Sequence, residues 1–258
     1  MNLDLNMRLA TSYKSGAQIA RIISEAWALE NLFCVACTRR SIEKMPPNTE
    51  AADFRCPGCA ARYQLKATRR PIGAKVTDAG YAAMMRAVIN GTFPHFLLMR
   101  YDTESARVQD LLLVPGFAVP SSAIVPRKPL GPAARRAGWV GCSIALDAVP
   151  GNGRISIVKE SNIASISSVR DRFTSLRVLE EVPPIKRGWT LDILQIVNSL
   201  GRESFTLEDI YSYEYDLAKL HQQNRHIKPK IRQQLQVLRD LGLVAFLGRG
   251  VYQLRGSR

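Results

Sequence analysis

The chain has 258 residues and sets 36 Lys+Arg against 22 Asp+Glu, a formal charge of +14. Its 46% hydrophobic content is enough for a buried core and excludes general disorder. No apolar run approaches the ~18 residues that a membrane helix needs. The opening Met1-Asn2-Leu3-Asp4-Leu5-Asn6 lacks the basic and apolar regions of a secretory leader, so the expectation is an intracellular, cytoplasmic protein with no membrane partner. Such a positive charge points to a polyanion, and for a protein of this kind to nucleic acid.

In chain order, Ile19, Ile22, Ile23, Ala26 and Trp27 recur at helical spacing and predict a helix over 14–30. Two short strands follow at 51–55 and 61–66, joined by Cys56-Pro-Gly-Cys59. A second helix is expected from Asp78 to Ile89, with Thr77 as its N-cap and Tyr81, Met84, Met85 and Val88 on one face. His95–Arg100, Val108–Val114 and Arg154–Val158 read as strands, and 115–138, rich in Pro, Gly, Arg and Lys, as loop. After a seam at 181–187 the pattern changes. Leu191, Leu194 and Val197 mark one helix. Thr206 opens a second that carries Leu207, Ile210, Leu217 and Leu220. Pro229 suits the first turn of a third, which carries Ile231, Leu235 and Leu238. Val244–Leu247, Gly248-Arg-Gly250 and Val251–Leu254 read as a hairpin. Three helices and a hairpin make a winged helix-turn-helix, so the expected domains are 1–182 and 183–258.

Cys34-Val-Ala-Cys37 and Cys56-Pro-Gly-Cys59 have the spacing of two knuckles sharing one Zn²⁺. Four thiolates leave no open coordination position, so the metal is structural. Cys142 is expected to be a buried apolar cysteine.

Strand alternation puts Gln64 and Lys66 on one face and Tyr63 and Leu65 on the other. A zinc-stapled turn would bring Asp53 near the first face. Asp53, the Gln64 oxygen and the Leu65 carbonyl suit Mg²⁺, a hard cation that prefers oxygen ligands. Lys66 would orient water and offset charge developing on a phosphate. That set suits phosphodiester hydrolysis, although Asp, Gln and Lys on strands are more often solvated surface residues. Glu25, on the first helix, is open to two roles: approach to the metal, or a structural one. His95, His221 and His226 show no ligand or triad spacing.

Several ordered blocks resemble the DpnI family of methyl-directed restriction endonucleases across nearly the whole chain. They include Thr11-Ser-Tyr-Lys14, Ala20-Arg-Ile22, Ala52-Asp-Phe54 and Tyr81-Ala-Ala-Met-Met85. The strongest is Arg127-Lys-Pro-Leu130 with Ala134-Arg-Arg-Ala-Gly-Trp-Val-Gly-Cys142. Gly188-Trp-Thr190, Phe205-Thr-Leu-Glu-Asp209 and Ile227-Lys-Pro-Lys-Ile-Arg-Gln-Gln-Leu-Gln236 carry it through the second domain. The resemblance implies a mixed α/β (α+β) PD-(D/E)XK core with a four-cysteine zinc knuckle, followed by a winged helix. It implies a Type II site-specific deoxyribonuclease that cuts double-stranded DNA at GATC containing N6-methyladenine. Asp53 and Lys66 match the family's catalytic residues, and the four cysteines match its zinc ligands. Gln64 stands where the family has Glu, a departure that removes one negative charge.

The methyl of N6-methyladenine projects into the major groove, where apolar surface recognises it. Trp139 is the candidate for that contact, with core burial as its plain alternative. Arg135 and Arg136 are candidates for phosphate or a guanine edge. In the third helix of the second domain, Gln233 and Gln236 face away from the core, flanked by Lys228, Lys230 and Arg232, as in a helix that reads bases and phosphates. Arg249 at the hairpin tip is a candidate DNA contact. No dimerisation element or protein partner stands out, so a monomer is expected. The rival reading is a methyl-sensing winged-helix regulator whose nuclease centre lost activity with the change to Gln64.

Overall fold

A computed structural model describes residues 1–46, 49 and 51–255. Helix α1 (Gly16–Asn31) leads through the first cysteine pair to strands β1 (Glu43–Lys44), β2 (Phe54–Arg55) and β3 (Arg62–Thr68). Then come β4 (Lys75–Gly80), α2 (Tyr81–Ile89), β5 (His95–Asp102), β6 (Arg107–Val114), β7 (Ile124–Pro126) and β8 (Gly141–Ala145). β9 (Ile155–Lys159), β10 (Asn162–Ile163) and α3 (Ile166–Arg177) follow. The C-terminal part holds α4 (Pro184–Ser199), β11 (Ser204–Thr206), α5 (Leu207–Tyr211), α6 (Glu214–Leu220), α7 (Ile227–Asp240), β12 (Val244–Gly248) and β13 (Val251–Leu254).

The central sheet runs β1-β2-β3-β5-β6-β9-β10, with only the β3–β5 pair parallel. Alternation along its strands feeds two cores. Tyr63, Leu65, Leu97 and Met99 pack with Ile23, Trp27 and Phe173 on one face. Phe96 and Leu98 pack with Met84, Val88 and Ile144 on the other. That second face is covered by α2 and by a small sheet ordered β4-β8-β7.

The expected elements recur with three corrections. The helix predicted from Asp78 begins at Tyr81, with Gly80 and not Thr77 as its N-cap. Residues 75–80 form β4, whose partner β8 lies more than 60 residues on, beyond the reach of local periodicity. The helix opened by Thr206 is two helices, α5 and α6, and Leu220 is 55% exposed instead of in the core. Within the loop read at 115–138, Ile124–Pro126 is a strand paired with β8. α3 gave no signal that was read. Its buried Val169, Phe173 and Leu176 fall at i, i+4 and i+7, one helical face, so the signal was present in the sequence.

Thr206 and Asp209 form a reciprocal capping box at α5, which satisfies two otherwise unpaired backbone donors. α7 buries Ile231, Leu235 and Leu238, and its buried Gln234 accepts a hydrogen bond from Thr190 at 2.7 Å. The first core is continuous from Leu3 to Val244. α4 also makes polar contacts with the N-terminal part: Ser122 donates to Asp192 at 3.1 Å, and Gln195 to the Asp147 carbonyl at 2.9 Å. His221 lies 2.7 Å from the other Asp192 oxygen and stacks on Trp189, so this histidine has a structural partner.

His95 packs among Tyr63, Phe117 and Phe173, and its Nδ1 accepts the Gly116 N–H at 3.1 Å. Burial lowers its pKa from 6.5 to about 4. The unfolded chain therefore binds the extra proton first, and stability falls as pH drops from 6.5 toward 4. His95→Asn keeps an acceptor without the ionisation. Its melting temperature should fall less steeply than wild type over that window, as read by circular dichroism.

Candidate functional site

The site is built on the β2–β3 hairpin. Phe54 pairs with Tyr63 and Arg55 with Arg62, so the register sets Asp53 across from Gln64. The Asp53 N–H donates to the Tyr63 carbonyl at 2.8 Å, and the Leu65 N–H donates to the Asp53 carboxylate at 2.8 Å. Burial pushes the Asp53 carboxyl above its ordinary range, outweighing the Leu65 hydrogen bond and the Lys66 charge. Gln64 is 6% exposed, and its side-chain oxygen has no hydrogen-bond partner. An orphaned buried carbonyl beside a half-buried carboxylate is a donor set that a hard cation fits. Among the described residues, no cluster of three or more His, Cys, Asp or Glu groups other than the cysteines converges tightly enough to hold a metal.

Asp53, Leu65 and Lys66 line an open cleft of about 870 Å³ that also takes in Arg21, Glu25, Arg70 and Lys75. Glu25 is held at 2.6 Å by Arg21 and at 2.7 Å by Lys44. Burial opposes its ionisation, but the hydrogen bonds from Lys44 and Arg21 outweigh this and hold its carboxyl below the usual range. Of its two open roles, the ion-paired structural one is what the geometry realises. Lys66 reaches Asp78 of β4 at 2.5 Å, a residue that the sequence reading took for a helix start. The basic residues of the cleft wall were missed too. Arg21 on α1, Arg70 in the bend after β3 and Lys75 at the start of β4 converge only in the fold.

At the turn of the hairpin, the Sγ atoms of Cys34, Cys37, Cys56 and Cys59 lie within 4.8 Å of one another. Cys34 and Cys59 approach to 3.5 Å, and Cys37 and Cys56 to 3.6 Å. A tetrahedral zinc with bonds of about 2.3 Å needs sulfurs about 3.8 Å apart, so the cluster fits the ion. Burial opposes ionisation of Cys56, but the N–H groups of Cys59 and Gly58 outweigh it and bring the thiol down to about 7, toward the thiolate that binds metal. The Tyr63 hydroxyl bridges Cys34 Sγ at 3.1 Å and the Val35 N–H at 3.2 Å, tying the cluster to β3. Cys142 is fully buried in the second core, as expected.

Trp139 is half-buried, and the exposed Arg136 guanidinium stacks 4.4 Å from its ring centroid. Its ring is not in the core. It borders an apolar hollow shared with Gly80, Tyr81, Pro126 and Val140. A Cβ at Gly141 would come 2.9 Å from the indole, so only glycine leaves room for it. Arg135 is exposed beside it. On α7, Lys228, Arg232, Gln233 and Gln236 are exposed and Lys230 donates to Gln233 at 2.8 Å. Lys228 lies 3.6 Å from Glu214. Arg249 is exposed at the hairpin tip with a φ of 50°.

The basic cleft of the first part and the helix-turn-helix with its basic α7 of the second describe a protein that acts on DNA. Residues 1–182 match DpnI, described as the Dam-replacing family, and residues 185–254 match the Dam-replacing HTH domain. The chain belongs to this DpnI family of methylation-dependent restriction enzymes. Among the described residues, no helix is long and apolar enough to cross a membrane.

Two outcomes follow. Cys37→Ser should lose the zinc, close to one ion per chain by elemental mass spectrometry, and melt several degrees lower. Gly141→Ala should displace the indole, changing tryptophan fluorescence and weakening binding to duplex DNA about tenfold by anisotropy.

Proposed function

We propose that the chain is a Type II, Mg²⁺-dependent endonuclease, with a nuclease domain at 1–182 and a winged-helix domain at 183–258, that cuts double-stranded DNA at GATC containing N6-methyladenine. The observation that carries this reading is the pairing of Asp53 with the β3 strand that bears Gln64 and Lys66, in a cleft with a basic wall. Asp53, the Gln64 oxygen and the Leu65 carbonyl would hold Mg²⁺, which supplies Lewis-acid stabilisation of the phosphate and an acidified water. Lys66 orients the attacking water and faces the negative charge that develops on the phosphate. Arg21, Arg70 and Lys75 hold the DNA backbone against the cleft. Trp139 offers an apolar face to the methyl while Arg135 and Arg136 engage phosphate or a guanine edge. In the second domain Gln233 and Gln236 face adenine edges, and Lys228, Lys230, Arg232 and Arg249 contact the backbone. The protein acts as a monomer, with structural zinc at the four cysteines.

Gln64 favours a second reading: a methyl-DNA-binding regulator without cleavage, because a carboxamide brings no charge to the metal. The test is a Mg²⁺ cleavage assay on one plasmid, prepared with and without adenine methylation at GATC. Cutting of the methylated form alone is expected, reduced roughly a hundredfold or more by Asp53→Ala and by Lys66→Ala. Binding to the methylated form without cutting, in Mg²⁺ or Mn²⁺, would establish the regulator.

A further inference from the structure

Asp78 is an anomaly for a strand in an apolar layer. Its side chain is fully buried, yet neither carboxylate oxygen has a well-aligned hydrogen bond. It sits across from Cys142 on β8, in the sheet that closes the second core with Ile144 and Met84. A carboxylate in that setting carries a large desolvation cost, and an apolar residue of similar size would be the stabilising choice. Its close ionic partner is Lys66 Nζ at 2.5 Å, reaching in from a side chain that is 30% exposed at the cleft. The register of β4 against β8 shifts between Asp78 and Gly80, an irregularity that re-aims side chains and ends the ladder just past this residue.

From this geometry we infer that Asp78 is a positioning residue for cleavage, whose buried carboxylate anchors the Lys66 ammonium at the floor of the cleft. The inference rests on the nuclease reading of Lys66 given above. A lysine has four rotatable bonds and no fixed direction of its own. Gln64, two residues before it on β3, offers no charge, and Asp53, just ahead of β2, accepts from the Leu65 N–H and forms no close ion pair with Lys66 among the described residues. Asp78 approaches from β4 of the small sheet, so Lys66 is tied to an element outside its own sheet. The anchor is made of charge and not of shape, because the carboxylate lacks the aligned hydrogen bonds that would give it a packing role.

The experiment separates positioning from stability. Asp78→Asn keeps the volume and removes a buried charge. Its melting temperature should equal or exceed that of wild type, while kcat on methylated plasmid falls roughly 10- to 100-fold with KM little changed. A variant that melts lower with proportionate loss of activity, or one that retains full kcat, overturns the inference. A second measurement does not depend on cleavage. Lys66→Met strands the Asp78 charge and should lower the melting temperature by about 5 °C or more, and adding Asp78→Asn should restore it. Additive melting shifts would show that the two residues do not act as a pair, and overturn the inference. If wild type cuts no DNA while this coupling is present, the nuclease reading fails and the positioning role in cleavage falls with it, leaving only the ion pair. If wild type cuts and Asp53→Ala does not, the Asp78→Asn kinetics alone decide.

Discussion

The pairing of β2 with β3 is the constraint on which the rest of the site depends. It is only two residues long on the β2 side, too short to stand by itself in water. Its turn is closed by the cysteine cluster, and Tyr63 fastens that cluster to the strand. Burial of Phe54 and Tyr63 in the first core then turns Asp53, Gln64 and Lys66 to the opposite face. Remove the staple and the hairpin has no reason to keep its register. The cysteines therefore set the geometry of the candidate site without lining it.

Electrostatics in the cleft follows the same economy. Glu25 is neutralised by Arg21 and Lys44 before it can compete for a cation, and Lys66 is drawn toward Asp78. Asp53 is left as the acid least compensated by a direct ion pair, beside an amide oxygen with no partner. On the proposed reading, a divalent cation would answer both deficits at once.

Much of this was legible in the sequence because the relevant patterns are local. The spacing of the cysteine pairs, the alternation about Gln64 and Lys66, and the apolar faces of α4 and α7 each fall within a stretch of 26 residues or fewer. What escaped was non-local. Asp78 looked like the start of a helix because Thr77 and Asp78 are good capping residues, whereas the strand they form is dictated by β8. Arg21, Arg70 and Lys75 carry no local signal, because only the convergence of α1, the bend after β3 and β4 sets them along one cleft. The Trp139 environment was half readable. The basic loop was evident, but not the glycines at 80 and 141 that make room for the ring.

The continuous core has a consequence for the chain as a material object. Trp189, Leu191, Leu194 and Leu179 are buried within one cluster that spans both ends of the seam. Severing the chain near 183 would uncover that apolar surface on both fragments, and exposed patches of this kind drive association in solution. The two halves, though each is matched separately in sequence, would be poor candidates for separate expression. The apolar surface of each half is thus covered by the other, and the seam is a packed interface as well as a change of sequence pattern.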